Sequence, residues 1–337
     1  MILYLRVRCQ IMGNPISTNR LCRTIIKVPK EDLLALLGDA DSYYSPYIKK
    51  TVRKDGSIKV RAIEPSTGYL KVVQRKIDRL LLKPAMESLP PEIMGGRPGI
   101  SVIQNALLHA GSKALMKYDV KNFFPSISYQ HVYYIFRHRL NYCEEASNIL
   151  AKLTTYPSDN PHVPQGAPTS TSLAMFALEP LCDKLANYCR ANDMKFSIWV
   201  DDITVSGVKS VLKTHRGYIN HLVSSTPFTI NPDKDSGIIQ KGSKSGDEKG
   251  RHITGIIIDN TNLLSLGNDK YKSLKRRVGR AQTLNDSLRG SLLFLKQVRP
   301  SQGKKLCHQY QSRLKSVQKA TKNDAPQTGA KSTADGL

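Results

Sequence analysis

Three acidic residues carry the chemistry this sequence could do. Asp201 and Asp202 are adjacent in KFSIWVDDITVSG (195–207). Apolar residues flank them at alternate positions (Phe196, Ile198, Val200; Ile203, Val205), which predicts a strand, a tight turn and a second strand. Aspartate has a backbone reason to sit in a turn, so this pair alone is open to that reading. Asp119 adds a second signal. It closes an apolar stretch, ALMKYD (114–119), just before Phe123-Phe124-Pro125. A carboxylate at the end of a buried strand is costly unless positive charge is supplied. Hard oxygen ligands there suit Mg²⁺, which takes few carboxylates plus water and substrate phosphates. Two such ions can activate a hydroxyl and stabilise a leaving pyrophosphate.

The rest of the chain favours a polyanionic substrate. Lys plus Arg number 51 against 27 Asp plus Glu in 337 residues, a formal net charge of +24. That excess predicts nucleic acid first and an anionic membrane surface second. With 40% hydrophobic and 23% charged residues the composition is that of a globular protein and excludes wholesale disorder. No apolar run approaches the roughly 18 residues of a membrane span, and too few apolar residues precede Arg6 for a signal-peptide core. The six cysteines are scattered with no CxxC pair, which argues against a zinc site or a disulfide framework. These features predict a soluble, reduced, cytoplasmic protein with no membrane partner.

The elements that must position the acids follow from periodicity and turn chemistry. Residues 29–38 predict a short helix closed by Gly38, and 51–65 a hairpin turning at Asp55-Gly56 with Ile58, Val60 and Ala62 alternating. Residues 69–89 have helical spacing that Pro84 must end or kink. GGRPG (95–99) reads as a loop, 101–113 as a helix, and 114–128 as a buried strand running into a turn. Helices are predicted over YQHVYYIFRHRL and SNILAKLTTY, over most of 161–192 after a loop, and over 209–226. Residues 228–240 and 251–260 each read as extended, separated by a Gly/Lys/Ser loop. From 270 to 319 there are fourteen Lys/Arg and one acid, Asp286, at helical spacing, a basic helical lobe. The last 17 residues are polar and small, the composition of a disordered tail.

YDVKNFFPSI (118–127), PQGAPTS (164–170) and WVDDITVSG (199–207) stand in the order and spacing of reverse transcriptase palm motifs A, B and C. NALLH (105–109) resembles the N-A-x-x-H signature of bacterial retron reverse transcriptases, and ITG (253–255) resembles their V-T-G, with Ile for Val. The resemblance spans about residues 50–300. It implies an α+β right-hand polymerase fold: fingers over 1–95 with an N-terminal extension, a palm with an antiparallel sheet over 96–265, a basic helical thumb over 266–320, and a disordered tail over 321–337.

By resemblance, Asp119, Asp201 and Asp202 would be the catalytic carboxylates holding two Mg²⁺ ions, with Asp202 the more dispensable and the Val120 carbonyl a further ligand. Phe124 would be the steric gate that excludes a ribose 2′-OH. Gln165 and Gly166 would line the nucleotide pocket, and Lys59 and Arg61 would clamp the triphosphate. A solvated charged face is the other reading of those two cations. Lys234 would be the motif D lysine, a general acid for the leaving group or else a surface lysine. Asn105 and His109, i and i+4 on one helix face, would be structural or contact RNA, and Thr254, Lys275, Arg276, Arg277 and Arg280 would contact RNA. Three positions depart from the pattern: Trp199 replaces a common Tyr, Val200 a frequent Ala, and Thr171 a common Pro.

The implied activity is RNA-directed DNA polymerisation from dNTPs in a retron. The template would be a cognate structured non-coding RNA, primed from an internal guanosine 2′-OH and yielding branched RNA-linked DNA (msDNA). Anti-phage defence with a separately encoded effector protein is implied as well. Two alternatives share less of this. One is another stand-alone bacterial reverse transcriptase, related to group II introns or to abortive infection. The other is a non-catalytic RNA-binding scaffold, against which the intact acidic trio argues.

Overall fold

The computed structural model describes residues 13–52, 56–232, 237–240 and 251–323. Contacts divide the chain into two units, residues 1–243 and 244–337.

The first unit contains, in order, α1 (Thr18–Arg20), α2 (Lys30–Gly38), β1 (Tyr47–Val52), β2 (Ile58–Ile63), α3 (Gly68–Ile77), α4 (Lys83–Ala85), α5 (Val102–His109), β3 (Ala114–Asp119), α6 (Tyr129–Tyr134), α7 (Glu144–Thr154), α8 (Ser170–Ala191), β4 (Lys195–Trp199), β5 (Asp202–Gly207), α9 (Lys209–Ser224) and β6 (Ile238–Gln240). Its centre is a four-stranded antiparallel sheet in the order β4-β5-β3-β6. Helix α8 lies against β4, and α9 against β3 and β5. Covered strands lose the polar alternation of an exposed sheet, and β3 accordingly buries Ala114, Leu115, Met116 and Tyr118 in succession with Lys117 between. Burying each large side chain contributes about 1.5–3 kcal/mol. That anchors the strand whose last residue is Asp119.

Local chemistry sets the element ends. Helix α5 starts at a capping box: the Ser101 hydroxyl accepts from the Gln104 N–H and the Gln104 side chain accepts from the Ser101 N–H. Helix α3 runs to Ile77, widens into a π-helical turn over Asp78–Leu82 and continues through Pro84 in α4 to a 3-10 turn ending at Ser88, so the run predicted over 69–89 stays helical and its hydrogen-bond pattern changes ahead of the proline.

The hairpin β1–β2 forms where the sequence predicts it, with an inverted exposure. Val52, Ile58 and Val60 are 71%, 60% and 56% exposed, whereas Lys59, Arg61 and Ile63 are half-buried. A two-stranded ribbon has no core of its own, so its faces are assigned by what lies beside it rather than by its own alternation. The Ile63 face approaches the 164–168 loop.

The second unit contains β7 (Arg251–Ile253), β8 (Ile256–Ile258) and β9 (Leu264–Ser265) in a three-stranded antiparallel sheet, then α10 (Asn268–Gly279), α11 (Asp286–Val298) and α12 (Pro300–Asn323). Residues 251–260 are therefore a hairpin and not the single strand their apolar run suggests. Thr254 and Gly255, at φ 48° and 83°, make its turn. Leu288, Leu292, Leu295, Val298, Leu306 and Tyr310 form the helical core. Asp259 ties strand to helix. Burial pushes its carboxyl up, but hydrogen bonds from Thr261, Leu263 and Arg299 outweigh that and hold it below the usual carboxylate range. Residues 251–265 thus fall in one contact unit with the C-terminal helices.

Candidate active site

Asp119 ends β3 and Asp202 begins β5, and the two are direct partners in the antiparallel register. Direct partners share a sheet face, so two carboxylates meet at one end of the sheet. Between β4 and β5 the turn is only Val200-Asp201, because Trp199 already pairs with Asp202. Val200 has φ 57°, a conformation β-branched residues avoid. The Val120 N–H donates to the Asp201 carbonyl at 3.1 Å, which fastens the turn to the end of β3. Asn231 braces the other side: its N–H donates to the Asp119 carbonyl at 2.8 Å, and its Nδ2 lies 3.5 Å from Asp119 Oδ2. All three aspartates are partly exposed.

This donor set fits a divalent cation. Like charges directly opposed in a sheet destabilise it unless countercharge is present. Among the described residues no three Asp, Glu, His or Cys side chains form a metal cage by themselves. A hard cation shared with substrate phosphates and water needs only this kind of partial, oxygen-only site.

The other expected residues fall in several places. Phe124 is half-buried beside Phe123, ring centroids 5.3 Å apart, and Phe123 packs in turn on Phe228 at 5.6 Å. Gln165 and Gly166 sit in the loop ahead of α8, where the Gln165 carbonyl accepts from the Glu64 N–H at 2.8 Å. Gly166 has φ 122°, and a Cβ there would lie 3.2 Å from Ile63 Cγ2, so the loop presses on the hairpin face that carries Lys59 and Arg61. That places the two cations on the side of the Gln165 loop. The Val120 carbonyl belongs to a residue only 3% exposed. Lys234 lies outside the described residues, as do Asp55 of the predicted hairpin turn and residues 324–337 of the expected tail.

Asn105 and His109 present no surface to RNA: they are 0% and 1% exposed. His109 Nδ1 pairs with Ser206 Oγ at 2.7 Å and Nε2 with Ser197 Oγ at 2.9 Å, while Ser197 Oγ donates to Asn105 Oδ1 at 2.7 Å. The motif pins α5 onto β4 and β5, the strands of the Asp turn. Burial pushes the imidazole pKa down to about 3, so the ring is neutral at pH 7. In the second unit, Thr254 is in the β7–β8 turn, Lys275, Arg276 and Arg277 are exposed on α10, and Arg280 is exposed at its C-cap.

One neighbour of the site is not evident from the sequence. The segment 92–95 runs beside β4 as an extra edge. Ile198 N–H donates to Glu92 O at 2.8 Å, and Ile198 O accepts from the N–H groups of Met94 and Gly95 at 2.9 and 3.1 Å. Ile93 and Ile198 form a parallel bridge. The only hint in the sequence is the Gly95-Gly96 doublet, since glycine marks close backbone approach.

Residues 49–258 match the sequence model of the family described as reverse transcriptase (RNA-dependent DNA polymerase). Over 297 residues the chain is 28% identical to the retron Ec86 reverse transcriptase of Escherichia coli, covering 86% of this chain and 87% of that one. It is 25% identical to the retron Ec83 reverse transcriptase of Escherichia coli, over 78% of this chain and 87% of the other. It is 27% identical to the retron Mx65 reverse transcriptase of Myxococcus xanthus, over 75% of this chain and 62% of the other.

Proposed function

The chain belongs to the reverse transcriptase family, which makes it an RNA-directed DNA polymerase, and on that premise we propose that it serves a retron, copying part of a cognate structured RNA into RNA-linked single-stranded DNA. The observation that carries this reading is the register setting Asp119 opposite Asp202 beside the Val200-Asp201 turn. It occurs in a chain similar along most of its length to retron reverse transcriptases.

The family works with divalent metal ions, and Mg²⁺ is the ion this oxygen-only set suits. Asp119, Asp201, Asp202 and the Val120 carbonyl would hold two of them. When bound, they supply charge to the attacking hydroxyl and the leaving pyrophosphate. The protein's own groups do the rest. Lys59 and Arg61 would hold the triphosphate, Arg61 through its planar fork. Gln165 and Gly166 would floor the nucleotide pocket, where the absence of a Cβ at 166 lets the loop close on Ile63 and Pro65 of the fingers hairpin. The Phe124 ring, backed by Phe123, would close the space a ribose 2′-OH needs. Lys234 would protonate the departing pyrophosphate. The basic helices of the second unit would track RNA phosphates. A branched product primed from an internal 2′-OH, an anti-phage role and a separate effector protein belong to the same proposal. Among the described residues no helix is long and apolar enough to cross a membrane.

The test is to sequence nucleic acid that copurifies with the chain from its native locus, beside an Asp201→Ala control. Short DNA joined through a 2′ branch to one structured RNA, absent from the control, is the expected result. RNA without linked DNA in both samples would overturn the reading.

A further inference from the structure

The Gly95-Gly96 doublet touches both halves of the site. Gly95 is buried, and a Cβ on it would lie 2.4 Å from the Val200 nitrogen and 2.8 Å from the carbonyl carbon and Cα of Trp199. These are backbone atoms and cannot swing aside. Gly96 has φ 74°, and a Cβ there would lie 2.5 Å from Thr171 Cγ2, on the second residue of α8. The doublet is therefore packed between the Asp turn and the first turn of the helix that follows the nucleotide-pocket loop. Val200, the residue above Gly95, is held in a left-handed conformation unusual for valine. Two residues before it, Ile198 O accepts hydrogen bonds from the N–H groups of Met94 and Gly95.

We propose that Gly95 and Gly96 are positioning residues of the polymerase site, setting the Val200-Asp201 turn against the start of α8. They touch neither substrate nor metal; they act by letting the backbone of the turn close on Gly95 and the Thr171 side chain of α8 close on Gly96. The proposal rests on the reading of Asp201 and Asp202 as catalytic. It also joins two departures from the family pattern, Val200 and Thr171, which stand on opposite sides of the same doublet.

Gly99 supplies a matched control. It lies in the same loop with φ 76°, yet nothing stands within 4 Å of a Cβ placed there. Gly99→Ala thus meets comparable backbone strain in open space.

The experiment measures single-nucleotide incorporation on a poly(rA)/oligo(dT) primer–template with the full-length chain, with primer–template affinity and Mg²⁺ titrations alongside. Gly95→Ala should lower the incorporation rate about tenfold or more, the scale expected for misplaced reacting groups. Its Mg²⁺ half-saturation should rise, while primer–template affinity stays within about twofold, as for a change remote from the phosphate-binding surface. Gly99→Ala should stay within about twofold of wild type in rate, since its site is open. Gly96→Ala should also slow incorporation, and adding Thr171→Ser, which removes Cγ2, should recover much of the loss. The same addition to Gly95→Ala should recover nothing.

Wild-type rate and Mg²⁺ dependence in Gly95→Ala would overturn the proposal, and so would a Gly96→Ala defect that Thr171→Ser leaves untouched. If Gly95→Ala does not fold, the Gly96 pair decides alone. Asp201→Ala separates the two readings. Full activity there sinks the catalytic assignment itself, whereas an inactive Asp201→Ala beside a normal Gly95→Ala sinks only the role of the glycines.

Discussion

Asp119 stands directly across the sheet from Asp202, the last residue of one strand against the first of the next. A cross-strand pair of like charges destabilises its sheet unless countercharge is supplied. Such a pair at the end of the sheet puts oxygen donors together where a hard cation can sit.

The pair predicts a metal-linked stability change that can be read without any activity assay. In EDTA, Asp119→Asn should melt at or slightly above the wild-type temperature, because a repulsion is removed. Added Mg²⁺ should raise the wild-type melting temperature, since an ion that binds only the folded state stabilises it by mass action, and should leave the variant unmoved. In polymerisation the same variant should lose about a thousandfold or more of the rate, as expected when a group that stabilises the transition state is removed. An equal Mg²⁺ shift in both proteins would place the ion elsewhere.

Phe124 predicts a change in sugar selection. Its ring rests on Phe123, which rests on Phe228, so its position is backed by core and not by solvent. Phe124→Ala should admit a ribonucleotide and reduce discrimination against it by about 10–200-fold, the range that shape exclusion in an apolar pocket achieves. Competing incorporation of dGTP and GTP opposite one template base measures the ratio. An unchanged ratio alongside a normal dNTP rate would remove Phe124 from the pocket.

His109 predicts acid sensitivity. Its folded pKa, about 3, lies below the ordinary value of 6.5 because burial disfavours the charged ring. The unfolded chain therefore binds the extra proton first. Stability contributed by the neutral ring is fully present above about pH 6.5 and is lost as pH falls toward 3, with a slope of up to about 1.4 kcal/mol per pH unit from this group. Urea unfolding between pH 7 and pH 5 should show the decline. His109→Gln, which keeps hydrogen-bonding capacity toward Ser197 and Ser206 and cannot titrate, should flatten that part of the curve. A parallel decline in both proteins would assign it to other groups.

How far the sequence reaches differs from one part of the site to another. The hairpin carrying Asp201 and Asp202 is legible because its apolar residues alternate on both sides of a two-residue turn. The strand carrying Asp119 is legible because burial on both faces leaves a nearly continuous apolar run, interrupted by Lys117 alone. The β1–β2 ribbon is legible as a hairpin, but its faces are not. Ile58 and Val60 look like core, yet the 164–168 loop lies on the Lys59 and Arg61 side. The Thr254-Gly255 turn is hidden by isoleucines on both sides of it, which read as one strand. Asn105 and His109 show helical spacing and so a shared face, but not which way that face points. The serines that receive His109 lie 88 and 97 residues away in sequence. The approach of Gly95 to Val200 is also long-range, and glycine has no side chain to announce it.

The exposed cations of α10 predict how RNA binding depends on salt. Lys275, Arg276 and Arg277, and Arg280 at the C-cap, are exposed while Leu274 and Val278 of the helix are buried, so the charges form the outer surface of a packed element. If they bind phosphates, replacing all four by Gln should weaken RNA binding and lower the slope of log K against log[salt] by about 0.7–0.9 for each phosphate no longer neutralised. Gln retains helix propensity close to that of Lys and Arg. Arg276 and Arg277 lie in the last helical turn, where a cation also contributes about 0.3–1 kcal/mol through the helix dipole. A melting curve separates that stability cost from the binding effect. The comparison is Lys209→Gln with Lys213→Gln, two exposed cations on α9. General electrostatic attraction lowers affinity in both variants in proportion to the charge removed, whereas a phosphate-tracking helix loses slope per residue only in the α10 variant. Equal slope changes per charge would leave the basic helix as one part of a diffuse field with no docking role of its own.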